Sequence, residues 1–98
     1  MPEYRVSTAA ATDLLEIGLY TQNRWGMVKR DNYLDAIQNR FIDLAEDPLS
    51  TLAIRRDDVK QGCFFSFVNR HIIVFRRYKY GIRVIRVLHQ SMDALQQI

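Results

Sequence analysis

His89 closes the strand-like part of "IRVIRVLHQSMDAL" (82–95), and histidine is the residue type most often used as a general acid or base. Arg83 and Arg86 precede it on the same run. The plainer reading gives His89 a strand-end hydrogen bond and no chemistry. Other constellations offer less. His71, His89 and Cys63 lack the spacing of metal ligands. There is no glycine-rich phosphate loop or nucleophile elbow, so neither metal nor cofactor is expected. Tyr78 and Tyr80, beside Arg76, Arg77 and Lys79, could contact nucleic acid, but they fall at a turn, where exposed aromatics and bases are common.

The elements that must position these groups follow from periodicity. "EYRVS" (3–7) alternates and reads as a short strand. From Thr8, a plausible N-cap, the spacing changes to 3.6: Ala10, Leu14, Ile17, Gly18, Thr21 and Trp25 share a stripe that ends at Gly26 and predicts a helix with Trp25 in the core. Asp13 and Glu16 lie towards its positive end. Tyr33, Leu34, Ile37, Phe41, Leu44 and Ala45 form the stripe of a second helix over 27–46, and the break at Gly26 makes the pair an antiparallel hairpin. Residues 49–61 read as a loop or a single helical turn. "CFFSFV" (63–68), "HIIVFRRY" (71–78) and "IRVIRVLH" (82–89) are strands joined by tight turns, an antiparallel meander. A short helix capped by Ser91 ends the chain. The expected architecture is α+β, β-α-α-β-β-β, with one helical hairpin packed on a small antiparallel sheet.

The three later strands are apolar on both sides. Phe65 and Phe67 oppose Phe64 and Val68, and Ile73 and Phe75 oppose Ile72 and Val74. In the last strand Ile82, Val84, Arg86 and Leu88 alternate with Arg83, Ile85, Val87 and His89. An antiparallel sheet with a solvated back normally alternates apolar with polar. Either residues 49–61 and the C-terminal segment fold across the second face, or a partner completes it as a groove. The few spare residues favour the groove, ringed by Arg76, Arg77, Arg83 and Arg86 and selecting an acidic partner.

Ninety-eight residues make one domain, and 48% hydrophobic with 26% charged residues is a globular composition. Apolar runs of about four residues are far short of the roughly 20 that cross a bilayer, so no membrane association is expected. From the opening Met1-Pro2-Glu3 no secretory segment is expected, and a lone Cys63 fits a reducing compartment, so a cytoplasmic location is expected. Charge is divided. Residues 1–48 hold five Lys/Arg against eight Asp/Glu, and residues 49–98 hold nine against three. The basic half suits an acidic partner, nucleic acid or protein, as well as simple solubility.

Specific residues add a resemblance. The first helix carries Ala10-x-x-Asp13-Leu14-x-x-Ile17-x-x-Tyr20, then Trp25-Gly26 and Tyr33; "LAEDP" (44–48) ends the hairpin; His71 precedes "IVF"; and "IRVIRVLHQSMD" (82–93) is close to an ending Arg-Val-Leu-His-x-x-Met-Asp. This ordered set, spanning nearly the whole chain, resembles the ParE branch of the RelE/ParE family of bacterial toxins. The resemblance implies a toxin held inactive by a small acidic, ParD-like antitoxin whose C-terminal part wraps around it in a higher-order hetero-oligomer. It implies that the toxin poisons DNA gyrase by binding, through the C-terminal end of the fold, with no chemistry of its own. On that basis Arg83, Arg86, His89, Met92 and Leu95 are the expected target-binding residues, and Phe64, Ile72, Val74, Arg76 and Arg77 the expected antitoxin-binding ones.

The chain departs from the ParE pattern at "GCFFSFVNR", where Phe64 replaces a usual arginine and Asn69-Arg70 a glycine-containing turn, and at Thr51, where a glycine is common. The RelE-like branch, which cuts mRNA on the ribosome, carries an arginine, a basic residue and a tyrosine at positions that correspond here to Phe64, Gln90 and Gln96. None of the three can move a proton or neutralise charge. The alternative of an mRNA endonuclease therefore rests on His89, since some relatives use a C-terminal histidine.

Overall fold

The computed structural model describes residues 2–98. Strand β1 (Glu3–Val6) leads into helices α1 (Thr8–Trp25) and α2 (Met27–Glu46), followed by strands β2 (Ile54–Arg55), β3 (Phe64–Val68), β4 (His71–Tyr78) and β5 (Gly81–His89), and helix α3 (Ala94–Gln97). The α+β class, the helical hairpin and the three-stranded meander agree with the periodicities. The sheet is larger and mixed: its order is β1-β5-β4-β3-β2. β1 lies parallel to β5, not antiparallel, because the helical hairpin serves as the crossover that a parallel pair requires. The 49–61 segment supplies β2, which pairs Ile54 and Arg55 with Phe65 and Phe64.

Ser7, rather than Thr8, starts α1. Its hydroxyl oxygen accepts from the Ala10 N–H at 3.0 Å and donates to the Ile85 carbonyl at 2.6 Å, while its own N–H extends the β1–β5 ladder to the Val84 carbonyl. One residue thus caps a helix and pins it to the sheet. Gly26, at φ +90, is the whole joint between the helices. At the far end Asp93, not Ser91, caps α3, accepting from the Leu95 N–H at 3.0 Å.

A bulge resolves the sidedness of β5. Phe75 pairs with Val84 and Val74 with Arg86, which leaves Ile85 as an extra residue. One inserted residue reverses the alternation beyond it. Ile82 and Val84 therefore face the helices together with Val87, packing with Ile73 and Phe75 against Ala10, Ile17, Ile37, Phe41 and Leu44. Leu88 turns to the other face.

That other face is closed by the chain itself. Cys63, Phe65, Ile72, Val74 and Leu88 are buried there, with Val59 from the loop, Ile85 from the bulge, and Ala94 and Ile98 from the tail packed on them. The expected open groove is absent because short apolar segments at both ends of the meander reach across it. Each large side chain sheltered this way is worth roughly 1.5–3 kcal/mol. Trp25 also departs from expectation: it is 63% exposed at the hairpin tip, where the α1 stripe runs past the end of the sheet.

Gly81, at φ +141, starts β5 where the Glu3 backbone crosses it, so that any Cβ would collide with the Glu3 carbonyl. Gly81→Ala is expected to destabilise the protein by about 1–3 kcal/mol, read from the urea midpoint, through strain and loosening of β1.

Candidate functional site

A concavity of ≈ 1010 Å³ opens between the outer half of the helical hairpin and the ends of β4 and β5. α1 presents Asp13, Glu16, Tyr20 and Arg24, α2 presents Lys29, Asn32 and Tyr33, the β3–β4 turn presents Asn69 and Arg70, and the tail brings Ser91 and Met92. His71 and His89 form its floor. They are directly paired across β4 and β5, with ring centroids 5.3 Å apart and an edge-to-face angle of 87°.

Each imidazole is held by a neighbour. The Tyr33 hydroxyl lies 2.6 Å from His71 Nδ1. His89 Nδ1 accepts from the Ser91 N–H at 3.1 Å and lies 2.7 Å from the Ser91 hydroxyl. An acceptor role at Nδ1 places the His89 proton on Nε2. Burial pushes the His71 pKa below its ordinary value, the nearby His89 adds to this, and Asp13 opposes it. Burial thus favours the neutral form of the His71 ring.

One wall of the groove depends on Asp13. Its carboxylate accepts from Arg86 through Nε and Nη2 at 2.8 and 2.9 Å, and from the Val87 N–H at 2.9 Å. Beyond Val84, β5 has no β1 neighbour, so the Asp13 carboxylate substitutes for a strand partner. The hydrogen bond that Arg86 donates to Asp13 raises the Arg86 pKa above its usual value. Arg86 also donates to the Gln97 carbonyl at 2.9 Å. Its guanidinium is therefore committed to the fold, contrary to its expected places in a target surface and a groove rim.

The other expected target residues separate. His89 and Met92 line the groove; Leu95 is exposed on α3; Arg83 projects from the opposite sheet face. The expected antitoxin set falls on two faces. Ile72 and Val74 are buried beneath the loop and tail and cannot line an open surface. Phe64 lies on the helix side, stacked on Phe75 at 5.5 Å. Arg77 lies there too, 5.3 Å from the Phe64 ring and donating to the Leu44 carbonyl near the end of α2 at 3.0 Å. Burial lowers its pKa. Arg76 alone is on the second face and partly open. Burial raises the pKa of the Cys63 thiol, against the positive charge of Arg76, Lys60 and Arg56.

The groove residues that sequence reading passed over as site residues, Glu16, Tyr20, Arg24, Lys29 and Arg70, come from three separate segments. Only the outward-facing side of each helical stripe hinted at them. Among the described residues no three His, Cys, Asp or Glu side chains are placed to hold a metal ion. Among the described residues no helix is long and apolar enough to cross a membrane. Arg24 lies over Tyr20 at 5.5 Å and Trp25 at 5.9 Å, and Tyr20 and Trp25 are exposed. Aromatic, Met and Arg side chains at the rim of a concavity are the composition of a protein-binding surface.

The family of the ParE toxin of type II toxin–antitoxin system, parDE, matches residues 4–94. Toxin ParE1 of Caulobacter vibrioides is 33% identical over 96 residues, 96% of this chain and 95% of that protein. Toxin ParE1 of Mycobacterium tuberculosis is 34% identical over 91 residues, 92% of this chain and 91% of that protein. Among solved structures, a chain of the chromosomal ParDE toxin–antitoxin system from P. aeruginosa superposes with a TM-score of 0.73 at 18% identity, covering 91% of this chain and 96% of that one. A chain of the toxin–antitoxin complex RelBE2 from M. tuberculosis gives 0.60 at 21% identity, covering 91% and 99%. At these identities the two structures speak for the fold.

Two outcomes follow from the geometry. Asp13→Ala removes three charge-assisted hydrogen bonds and is expected to cost about 1.5–3 kcal/mol by urea unfolding, with loss of the His71 and His89 ring environments by NMR. For His71 the folded-state pKa is depressed, so the unfolded chain takes up its proton first as pH falls. Stability is therefore complete above the unfolded pKa of about 6.5 and is lost as pH falls through the folded value. The urea midpoint should drop between neutral and mildly acidic pH, and His71→Asn should flatten that drop.

Proposed function

Because the chain belongs to the ParE toxin family of type II toxin–antitoxin systems, we propose that it acts in the cytoplasm by protein binding, with DNA gyrase as its target, and without chemistry of its own. The observation that carries this reading is the state of the positions where mRNA-cutting relatives hold their cation, base and tyrosine. Phe64 is packed in an aromatic stack under Arg77, and Gln90 and Gln96 are exposed amides. What remains around the groove is Tyr20, Arg24, Trp25, Arg70 and Met92, side chains suited to gripping a protein. His89 and Met92 sit at its C-terminal end, the part of the fold that the family resemblance implicates. A small acidic, ParD-like antitoxin holds the toxin inactive in a hetero-oligomer, its wrapped segment reaching the outside of a sheet already closed by its own chain.

A second reading is favoured by the histidine pair. Two imidazoles in contact beside Arg70, Arg24 and Lys29 have the composition of an acid–base site for RNA cleavage. His89→Ala separates the two. Protein binding predicts cleaved DNA accumulating with gyrase and no mRNA cleavage by wild type or variant, whereas nuclease action predicts ribosome-dependent mRNA cleavage that the variant loses with antitoxin binding intact.

With purified gyrase, the wild-type chain should accumulate cleaved DNA, and Met92→Glu should weaken this by at least about tenfold, the equivalent of one lost interface contact of about 1.4 kcal/mol. Untouched supercoiling at stoichiometric excess of the wild-type toxin would remove gyrase as the target and leave the family assignment standing. A point substitution is the proper probe, because Ala94 and Ile98 pack on the second face and removing 90–98 would strip cover from the core.

A further inference from the structure

The second face of the sheet holds an arrangement that neither the groove nor the closing segments use. Tyr4, Val6, Ile82, Val84 and Phe75 pack on the helix side, so the residues alternating with them, Arg5, Arg83 and Arg76, project from the other face. Arg83 is the register partner of Arg5 on one side and of Arg76 on the other. Three guanidinium side chains therefore stand abreast on the adjacent strands β1, β5 and β4. Like charges directly opposite each other destabilise a sheet by roughly 0.2–1 kcal/mol per pair. The local carboxylates relieve this only at Arg5, which pairs with Glu3 at 2.8 Å. Glu3 is held by Arg5, Asp57 by Arg55 and Asp58 by Arg56, and among the described residues neither Arg83 nor Arg76 forms an ion pair.

Aromatic rings border the same row. Tyr78 follows Arg76 on the same side of β4, and the Tyr80 ring lies parallel to it at 3° with centroids 5.4 Å apart. The Arg5 guanidinium covers Tyr80 at 3.8 Å from the ring centre. Tyr78 is 46% exposed, so the stack ends in an open ring. Loop and tail close only the neighbouring part of this face, leaving the arginine row and the tyrosines outside.

We propose that the Arg5–Arg83–Arg76 row and the Tyr80–Tyr78 stack together bind single-stranded nucleic acid, the guanidiniums taking successive phosphates and the open Tyr78 ring taking a base. Charge alone would suit any polyanion. The stacked tyrosines favour nucleic acid, since a single strand carries a ring beside every phosphate while a run of carboxylate side chains carries none, and single strands are held by cationic tracks beside aromatic platforms. Binding here needs no sequence readout and is independent of the enzyme that the toxin acts on.

The test uses the full chain and a fluorescein-labelled oligodeoxythymidine of about 20 nucleotides, long enough to fill a site of this kind, followed by fluorescence anisotropy across salt concentrations. Three phosphate contacts predict a log–log salt slope of about −2, at about 0.7 per contact. Arg83→Gln with Arg76→Gln should weaken binding by at least about tenfold and flatten the slope by about 1.4. Tyr78→Ala should weaken binding by about tenfold while leaving the slope unchanged, as the loss of one stacked base would. Circular dichroism verifies folding; if the double variant does not fold, the exposed Arg83→Gln is read alone and should shift the slope by about 0.7. The proposal is overturned if the wild-type chain does not bind the oligonucleotide at about 50 mM salt. It is equally overturned if these substitutions leave affinity unchanged, or if polyglutamate of matched charge binds as tightly as the oligonucleotide.

Discussion

An unpaired strand edge in the middle of the molecule is the constraint around which the fold is arranged. β1 is four residues long and accompanies β5 only as far as Val84, so the rest of β5 would present bare amides. α1 covers that edge. Ser7 takes the Ile85 carbonyl and Asp13 takes the Val87 amide while clamping Arg86. The buried carboxylate would be costly alone, and the arginine would be costly without it. Together they fix where the helix lies, and hence where Glu16, Tyr20 and Arg24 stand across from the two histidines. The groove exists because the edge had to be covered.

The same economy of length governs the sheet's back. A chain of this size has one helical layer to offer, yet its meander is apolar on both sides. A loop residue, the bulge and two tail residues suffice to bury five side chains. Partners are therefore not needed to complete the core. Two of the surfaces that stay open lie on opposite sides of the sheet: a groove by the hairpin and a cationic row beyond the closing segments.

Local pattern carried much of this, and long-range pairing carried the rest. The helical stripes and the meander are visible because periods of 3.6 and 2 persist over many residues. The Ile85 bulge is not, because one extra residue leaves composition untouched while reversing every side chain after it. That reversal is why Val87 and Leu88 lie on faces opposite to those that simple alternation assigns. His89 and Met92 could be placed at the end of a strand, and they do meet in the groove. Arg86 looked available because its partner, Asp13, is remote in sequence. Ile72 and Val74 looked uncovered because a segment such as 56–63 has no period from which its docking could be read. The arginine row depends on β1 lying beside β5, a pairing that neither strand's sequence announces.

The bond between the Ser7 hydroxyl and the Ile85 carbonyl joins residues 78 positions apart. Pairing of the first strand with the last closes nearly the entire polypeptide into a loop, and such closure retards folding because its entropy is lost before any contact forms. During synthesis α1 has no sheet to lie against until β5 has left the ribosome, so the shape that harms its host cannot assemble from a partial product. Whatever restrains the toxin has the whole of translation in which to be ready.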